Sequence, residues 1–298
     1  MNLRGARLLG WAWTRGVLLV AAVLTIIPFL WMTAASFKSN DEFFRSVLLP
    51  WEPAKTVVRD GETVREGGHV AWNRLTTDTY SRLFGELDFG RGLVNSIFLS
   101  SVTGILATVC CAMGGYALSK FHFKGRTFCT VLVLAALLIP GPLLIAPTYQ
   151  LLYRMNLLDT FSGLILPALA PAFGVFLFRQ AINSGVPNEV LEAARIDGAS
   201  EWRTFVVIVL PLVRPMIGTF LMITFLSTWN NFISPQVVLQ EPGKFPLSVA
   251  VAELRRGYYN DYGLQMAGTI VSILPVMVLF LVMQKDFVSG LTSGAVKA

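Results

Sequence analysis

The sequence predicts an all-α membrane protein of six transmembrane helices with both termini in the cytoplasm. Three observations carry that expectation. Of 298 residues, 54% are hydrophobic and only 14% are charged, against about 25% charged in soluble domains. Six apolar segments, at 16–36, 93–118, 128–148, 161–178, 215–233 and 264–283, match the ~20 residues that a helix needs to cross a ~30 Å hydrocarbon core. None of the six holds Asp, Glu, Lys or Arg in its interior, where one such charge costs ~2.5–3.5 kcal/mol.

The first segment follows Arg4, Arg7 and Arg15 on the N-tail, 1–15. Small residues at Thr33-Ala34-Ala35-Ser36 would suit a signal peptidase. The apolar run, however, exceeds the ~7–15 residues of a signal h-region, so a retained span is expected. A long outer loop, 37–92, comes next. Its stretch 52–79, with Gly61, Gly67-Gly68 and alternating charges, reads as an insertion and as a solvated loop. The second segment carries small residues four apart, in the stripes Ser100, Gly104, Thr108, Ala112 and Thr103, Ala107, Cys111, Gly115. Such stripes let helix backbones approach closely. Asn95 at its start is expected to be an N-cap. Pro28, Pro140, Pro142, Pro167, Pro171 and Pro275 lie in or beside spans and predict kinks. Phe205–Leu212 is too short to span and reads as a surface helix ahead of the fifth span.

Loop charges set the orientation. With the N-terminus inside, the short loops and tails hold 12 Lys and Arg on the cytoplasmic side and 4 outside. The long outer loop is left out, because long loops translocate largely regardless of charge. Phe121-His122-Phe123-Lys124-Gly125-Arg126 is the clearest inside turn. The net charge of +6 comes from these loop positions and does not form a nucleic-acid patch. Cys110, Cys111 and Cys129 sit in apolar runs and behave as small hydrophobes.

Catalytic constellations and metal-ligand spacings are missing, and there is no phosphate-binding Gly-Lys loop. ATP-driven work would therefore need another polypeptide. Coupling to an ion gradient would call for an acid at mid-membrane, and the spans have none. An integral membrane enzyme or a simple channel would need a polar constellation or a charged ring within the spans, which is also lacking.

The long cytoplasmic segment 184–214 is the informative one. Pro187 suits the first turn of a helix, Glu189 its positive end, and Gly198 a left-handed stop. A short helix over 187–197 follows, with Ala193 and Ala194 giving a small face. Ser200 can cap a second helix that runs through Phe205–Leu210 until Pro211 and Pro215. The result is a helix-turn-helix elbow, stiff enough to pass a push from a soluble partner into the bundle.

The elbow resembles the EAA loop of permease subunits of bacterial ABC importers. That pattern is Glu-Ala-Ala, three residues, Gly, nine residues, Ile, one residue, Leu-Pro. Here it is filled by Glu192-Ala193-Ala194, Gly198, Ile208 and Leu210-Pro211, with Arg195 and Asp197 between. Ser36-Phe37-Lys38, Asn95-Ser96, Thr228-Trp229-Asn230-Asn231-Phe232 and the tail Gly290-Leu291-Thr292-Ser293-Gly294-Ala295-Val296-Lys297 are similar to the carbohydrate importers. Within them the chain resembles the second permease, the G-type subunit of the maltose transporter. The resemblance covers about 16–50 and 80–298.

It implies the MetI-like permease bundle, working by alternating access in a bacterial cell membrane, with residues 93–289 as its core. It implies a homologous second permease and two ATP-binding subunits that carry ATP and Mg. No cofactor is expected on this chain. It also implies an external solute-binding protein that delivers a sugar. The elbow would dock on an ATPase, and residues 290–297 would reach into the ATPase dimer. Sugars are held by aromatic faces and amide or hydroxyl groups, which makes Trp229, Asn230, Asn231, Tyr149 and Gln150 the candidates for substrate or gate contact. A permease of the same type for glycerol phosphate is the alternative, though it would predict basic residues along the spans.

Overall fold

The computed structural model describes residues 3–53, 55–59, 62–66, 68–258 and 260–293. Helix α1 (Leu3–Ser36) leads into a short α2 (Asn40–Phe43). Strands β1 (Trp51–Glu52), β2 (Lys55–Arg59), β3 (Glu62–Glu66) and β4 (His69–Val70) follow, and then α3 (Asp78–Gly85). The long α4 (Phe89–Lys120) precedes α5 (Arg126–Ala136), α6 (Ile145–Arg154), α7 (Phe161–Ile165) and α8 (Ala172–Gly185). Three short helices come next, α9 (Asn188–Ile196), α10 (Glu201–Thr204) and α11 (Leu210–Leu212). The chain ends with α12 (Arg214–Trp229), α13 (Ile233–Val238), α14 (Leu247–Gly257) and α15 (Tyr262–Ser293).

Trp13–Ser36, Phe89–Lys120 and Tyr262–Gln284 are single helices long and apolar enough to cross a membrane. The third and fourth expected spans are bent pairs, and the fifth, α12, is bent against the elbow's second helix. Arg126–Ala136 and Gly141–Arg154 meet at 103°, Phe161–Ala168 and Ala172–Gly185 at 43°, and Glu201–Leu212 and Arg214–Trp229 at 82°. Counting each pair as one span gives six.

The kink expected at Pro140 and Pro142 in the third span, 128–148, is sharp enough to break the helix. Pro140 and Pro142 flank Gly141, so two backbone donors vanish within three residues and the helix turns sharply. Pro167 and Pro171 sit at the milder bend. Pro28 and Pro275, by contrast, lie inside helices that run on without a break.

The chain forms two compact units. One takes the residues up to Phe89 together with Val251–Ile273. Its centre is the exit of α1. Thr79 Oγ1 donates to the Ser36 carbonyl at 2.7 Å, and the Ser36 and Tyr80 hydroxyls share a 2.7 Å bond. Lys38 is wholly buried, with Nζ donating to the Ser46 carbonyl at 2.7 Å. Burial pushes its pKa down, and Glu42 works against the shift. Arg82 pairs with Asp261 at 2.8 Å, and Phe43 stacks on Tyr262.

Within the stretch 52–79 the described residues form short strands. β2 pairs antiparallel with β3, setting Val57 opposite Val64, and β1 pairs with β4. The end of that stretch is the start of α3.

The second unit takes Gly90–Ala250 and the residues from Leu274 on. Both small-residue stripes of α4 are buried, and α8 and α12 pack on them. A Cβ on Gly115 would fall 2.6 Å from the Arg179 backbone nitrogen and the Phe178 Cβ, and one on Gly174 would strike Phe220 and the Cys111 sulfur. Lipid supplies no hydrophobic drive between helices, so close backbone contact of this kind carries the association. Gly115→Ala should cost about 1–3 kcal/mol by overpacking. Gly185→Ala, with nothing within 4 Å, should cost nothing. Thermal unfolding of the two variants in detergent checks this.

Candidate functional site

The elbow forms as a built object at one end of the second unit. Pro187 is extended and leads into α9, whose first turn carries Glu189 and whose last turn carries Arg195. Gly198 has φ +75, the left-handed value that most side chains resist. The Ala199 amide then donates to the Ala194 carbonyl at 2.9 Å, which closes the helix end. The Ser200 hydroxyl accepts from the Arg203 amide and caps α10.

Lys120 and Tyr116 tie the elbow to the bundle, and an ion pair between α9 and α10 braces the elbow itself. Lys120 at the end of α4 donates to the Val186 carbonyl at 2.6 Å and to Asn188 Oδ1 at 2.8 Å. Tyr116 donates to Glu201 Oε2 at 3.1 Å. Arg195 donates to Glu201 Oε1 at 2.8 Å, and that bond holds the guanidinium above its usual value. Both partners of this last pair are nearly half exposed, so it contributes only a few tenths of a kcal/mol.

The second helix departs from expectation. Residues Phe205–Val209 form a π-helix, and Pro211 lies inside α11. The chain breaks two residues later, at Val213. Pro211 has no amide to give and its ring needs room on the preceding turn, so a widened turn accommodates it.

Glu192, Ala193, Arg195, Asp197 and Gly198 are exposed, whereas Ala194 and Leu191 are buried against the bundle. Ile208 and Leu210 are half-buried and Pro211 is exposed. A concavity of about 390 Å³ lies between α9 and the π-turn, lined by Val190, Ala193, Ala194, Asp197, Ala199, Arg203, Thr204, Val207 and Ile208. Ile196, at 86% exposure, and Trp202, at 61%, are next in sequence to its lining residues Asp197 and Arg203. Sequence reasoning passed over Val190, Ile196, Trp202, Arg203 and Val207. The signal available was large apolar residues on a charged loop. The surface is suited to receiving a protein side chain between an Asp and an Arg, and it offers no group for covalent chemistry.

At the opposite end of this unit, the five expected sugar-contact residues separate. Tyr149 and Asn231 line one cavity of about 290 Å³. Trp229 is buried and stacked on Phe225 at 5.6 Å. Asn230 is exposed and bonds the Leu226 carbonyl of its own helix, and Gln150 is exposed. Neither Trp229, Asn230 nor Gln150 lines that cavity.

Asn95 is not an N-cap, because α4 begins at Phe89. Its amide donates to the Gly243 and Phe245 carbonyls at 3.0 and 3.1 Å. Ser96 accepts from the Leu247 amide at 2.7 Å. The pair staples the loop before α14. Gly290, Leu291, Thr292 and Ser293 continue the helical backbone of α15. Gly294, Ala295, Val296 and Lys297 lie outside the described residues.

Residues 94–289 match the family described as "Binding-protein-dependent transport system inner membrane component". The chain belongs to that family. The permease is 35% identical over 298 residues, all of both chains, to the arabinooligosaccharides transport system permease protein AraQ of Halalkalibacterium halodurans. It is 30% identical over 281 residues, 94% of each chain, to the lactose transport system permease protein LacG of Rhizobium radiobacter. The crystal structure of a bacterial ABC transporter involved in the import of the acidic polysaccharide alginate has the same fold. Its TM-score is 0.76 at 23% identity, over 96% of the permease and 99% of that chain.

Asp159 holds the loop on the far side of the cavity. Its carboxylate accepts from Lys244 Nζ at 2.8 Å and from the Gln240 and Glu241 amides. The Lys244 bond, followed by the two amides, pulls it from an ordinary 3.8 down to about 2. A lowered folded value means the contribution is complete above pH 3.8 and is lost as pH falls through about 2. Hydrogen exchange should show the Gln240 and Glu241 amides losing protection, relative to intrinsic rates, over that window. Asp159→Asn should remove the pH dependence.

Proposed function

We propose that the permease is one of two homologous membrane subunits of an ATP-driven bacterial importer for a sugar, an oligosaccharide or a related saccharide. Two separate ATPase subunits bind ATP and Mg. An external solute-binding protein delivers the substrate, and both termini of the permease lie in the cytoplasm with the elbow. The C-terminal residues 290–297 reach toward the ATPases.

The observation that carries this reading is the elbow. Of its residues with the EAA spacing, Glu192, Ala193 and Ala194 stand on α9 and Gly198 just past its end, beside an open concavity; from α4, Lys120 bonds Asn188 at the start of α9 and Tyr116 bonds Glu201 on α10. Closure of an ATPase dimer around α9 would drag the cytoplasmic end of α4 with it. The sugar class is supported by relatives whose names specify arabinooligosaccharides and lactose, and by spans free of charge.

Gly198→Asp places a carboxylate on the exposed turn where Gly198 has open space around it. In the intact importer this change should abolish uptake of labelled arabinotriose or lactose and the stimulation of ATP hydrolysis by loaded binding protein. The affinity of the binding protein for its sugar should stay unchanged. Normal uptake in that variant would remove the elbow from the coupling route.

A further inference from the structure

The chain leaves α1 at Ser36 and, within a few residues, turns back along it. Phe43, the last residue of α2, sets its ring edge-on to Trp31 at 5.7 Å. Trp31 lies on α1, about 7.5 Å back from Ser36 along the helix axis. The same Phe43 stacks on Tyr262 at 4.9 Å, and Phe44 meets that ring edge-on at 5.2 Å. Tyr262 is the first residue of α15, and its amide donates to Asn40 Oδ1 at 2.9 Å. Helix α2 is thus clamped between the ends of two membrane-crossing helices, and it holds the residues that follow it at the height of those ends.

Those residues are apolar and uncovered. Phe44 is 74% exposed and Val47 77%, and Leu48, Leu49 and Trp51 are exposed as well. Arg45, among them, is also exposed. Large hydrophobic side chains gathered on one loop mark a surface that binds something apolar.

The backbone of the loop is served from within. Lys38 Nζ reaches the Ser46 carbonyl at 2.7 Å and the Val47 carbonyl at 3.3 Å. The Arg45 and Ser46 amides donate to the Glu42 carbonyl, and the Pro50 carbonyl accepts from the Ala71 amide at 2.8 Å. A loop in water can leave such groups to the solvent, whereas a loop among lipids must satisfy them internally. The buried lysine closes the polar side of the loop, and the apolar side chains face out.

What covers the loop follows from its neighbour. None of the apolar window of α1 is buried by the rest of the chain, and the loop continues that surface at the helix exit. Aliphatic side chains flanked by Trp and Arg are the composition of a segment seated at a membrane interface, with the ring at headgroup level and the cation near phosphate.

We propose that Phe44–Trp51 is an interfacial anchor, seated in the headgroup region of the outer leaflet beside the exits of α1 and α15. The choice of leaflet rests on the reading above that both termini are cytoplasmic, which puts this end of α1 outside. Because α2 is clamped to both helices, an anchor here fixes the height of α1 and α15 in the bilayer together.

The test uses the intact importer in vesicles of phosphatidylcholine and phosphatidylglycerol. Cys110→Ala and Cys129→Ala remove the thiols that are not buried, and the buried Cys111 is kept. Val47→Cys or Leu48→Cys then carries a bimane label, with Glu86→Cys, exposed at the end of α3, as the reference in water. Phosphatidylcholine with a doxyl group high on its acyl chain should quench the label at positions 47 and 48 about threefold more than at 86, and iodide about threefold less, as for a segment ~5–10 Å inside the headgroup boundary.

Equal iodide quenching at all three positions, with no quenching by the doxyl lipid, puts the loop in water and overturns the anchor. Quenching at 47 and 48 by neither agent means that protein covers the loop and overturns it equally. Orientation is read separately, with an impermeant maleimide on right-side-out and inverted vesicles. Labelling of Glu86→Cys from the outside upholds the orientation whatever the quenchers show. Labelling only in inverted vesicles overturns the orientation and the leaflet, and lipid quenching at 47 and 48 still decides the anchor.

Discussion

The closeness of α4 to α8 is the constraint on which the second unit depends. With the Arg179 backbone nitrogen 2.6 Å from where a Cβ on Gly115 would sit, no side chain fits at that crossing. The same approach brings Lys120 to the Val186 carbonyl and Tyr116 to Glu201. Separate the helices by the width of a methyl group and both bonds lengthen past usefulness. The elbow's position is therefore set by glycine in the bundle rather than by the charges on its own surface. Those charges are half exposed, and solvent screens them.

Within the elbow, stiffness and compliance are kept apart. Helix α9 is closed at both ends, by an extended Pro187 and by the left-handed Gly198, so a load on it is transmitted without unwinding. The compliance sits downstream in the π-turn Phe205–Val209 and the break at Val213. A widened turn has looser backbone bonds than an α-helix, and π-bulges are frequent at functional sites. The 82° bend that follows redirects the chain into α12.

Much of this was legible from residues alone, and the misses have physical causes. Hydropathy located the spans because lipid enforces helices on apolar runs. The spacing around Gly198 located the elbow because a left-handed stop and a serine cap leave specific residues. Proline was less informative. Pro28 and Pro275 ride in unbroken helices, whereas Pro140-Gly141-Pro142 breaks one, since two missing donors in three residues exceed what one turn absorbs. The hairpin over 55–66 was hidden by its charges, although Asp60-Gly61 between β-branched runs is a two-residue turn signal. Asn95 was misread because the apolar run starts at 93 while the helix starts at Phe89. Side-chain roles near Trp229 were not legible at all. Each residue turns a helix by about 100°, and that single step decides whether a ring enters the cavity or the core.

One rod connects the two ends of the second unit. Between Ser96, which holds the loop before α14, and Tyr116, which holds Glu201, α4 rises about 30 Å in one unbroken helix. A pivot of about 5° around one end sweeps the other through about 2.6 Å, roughly the length of the Ser96–Leu247 bond itself. A rigid lever of that length needs no relay of intermediate residues. A displacement of α4 at its elbow end is at once a displacement of the loop latch at its other end.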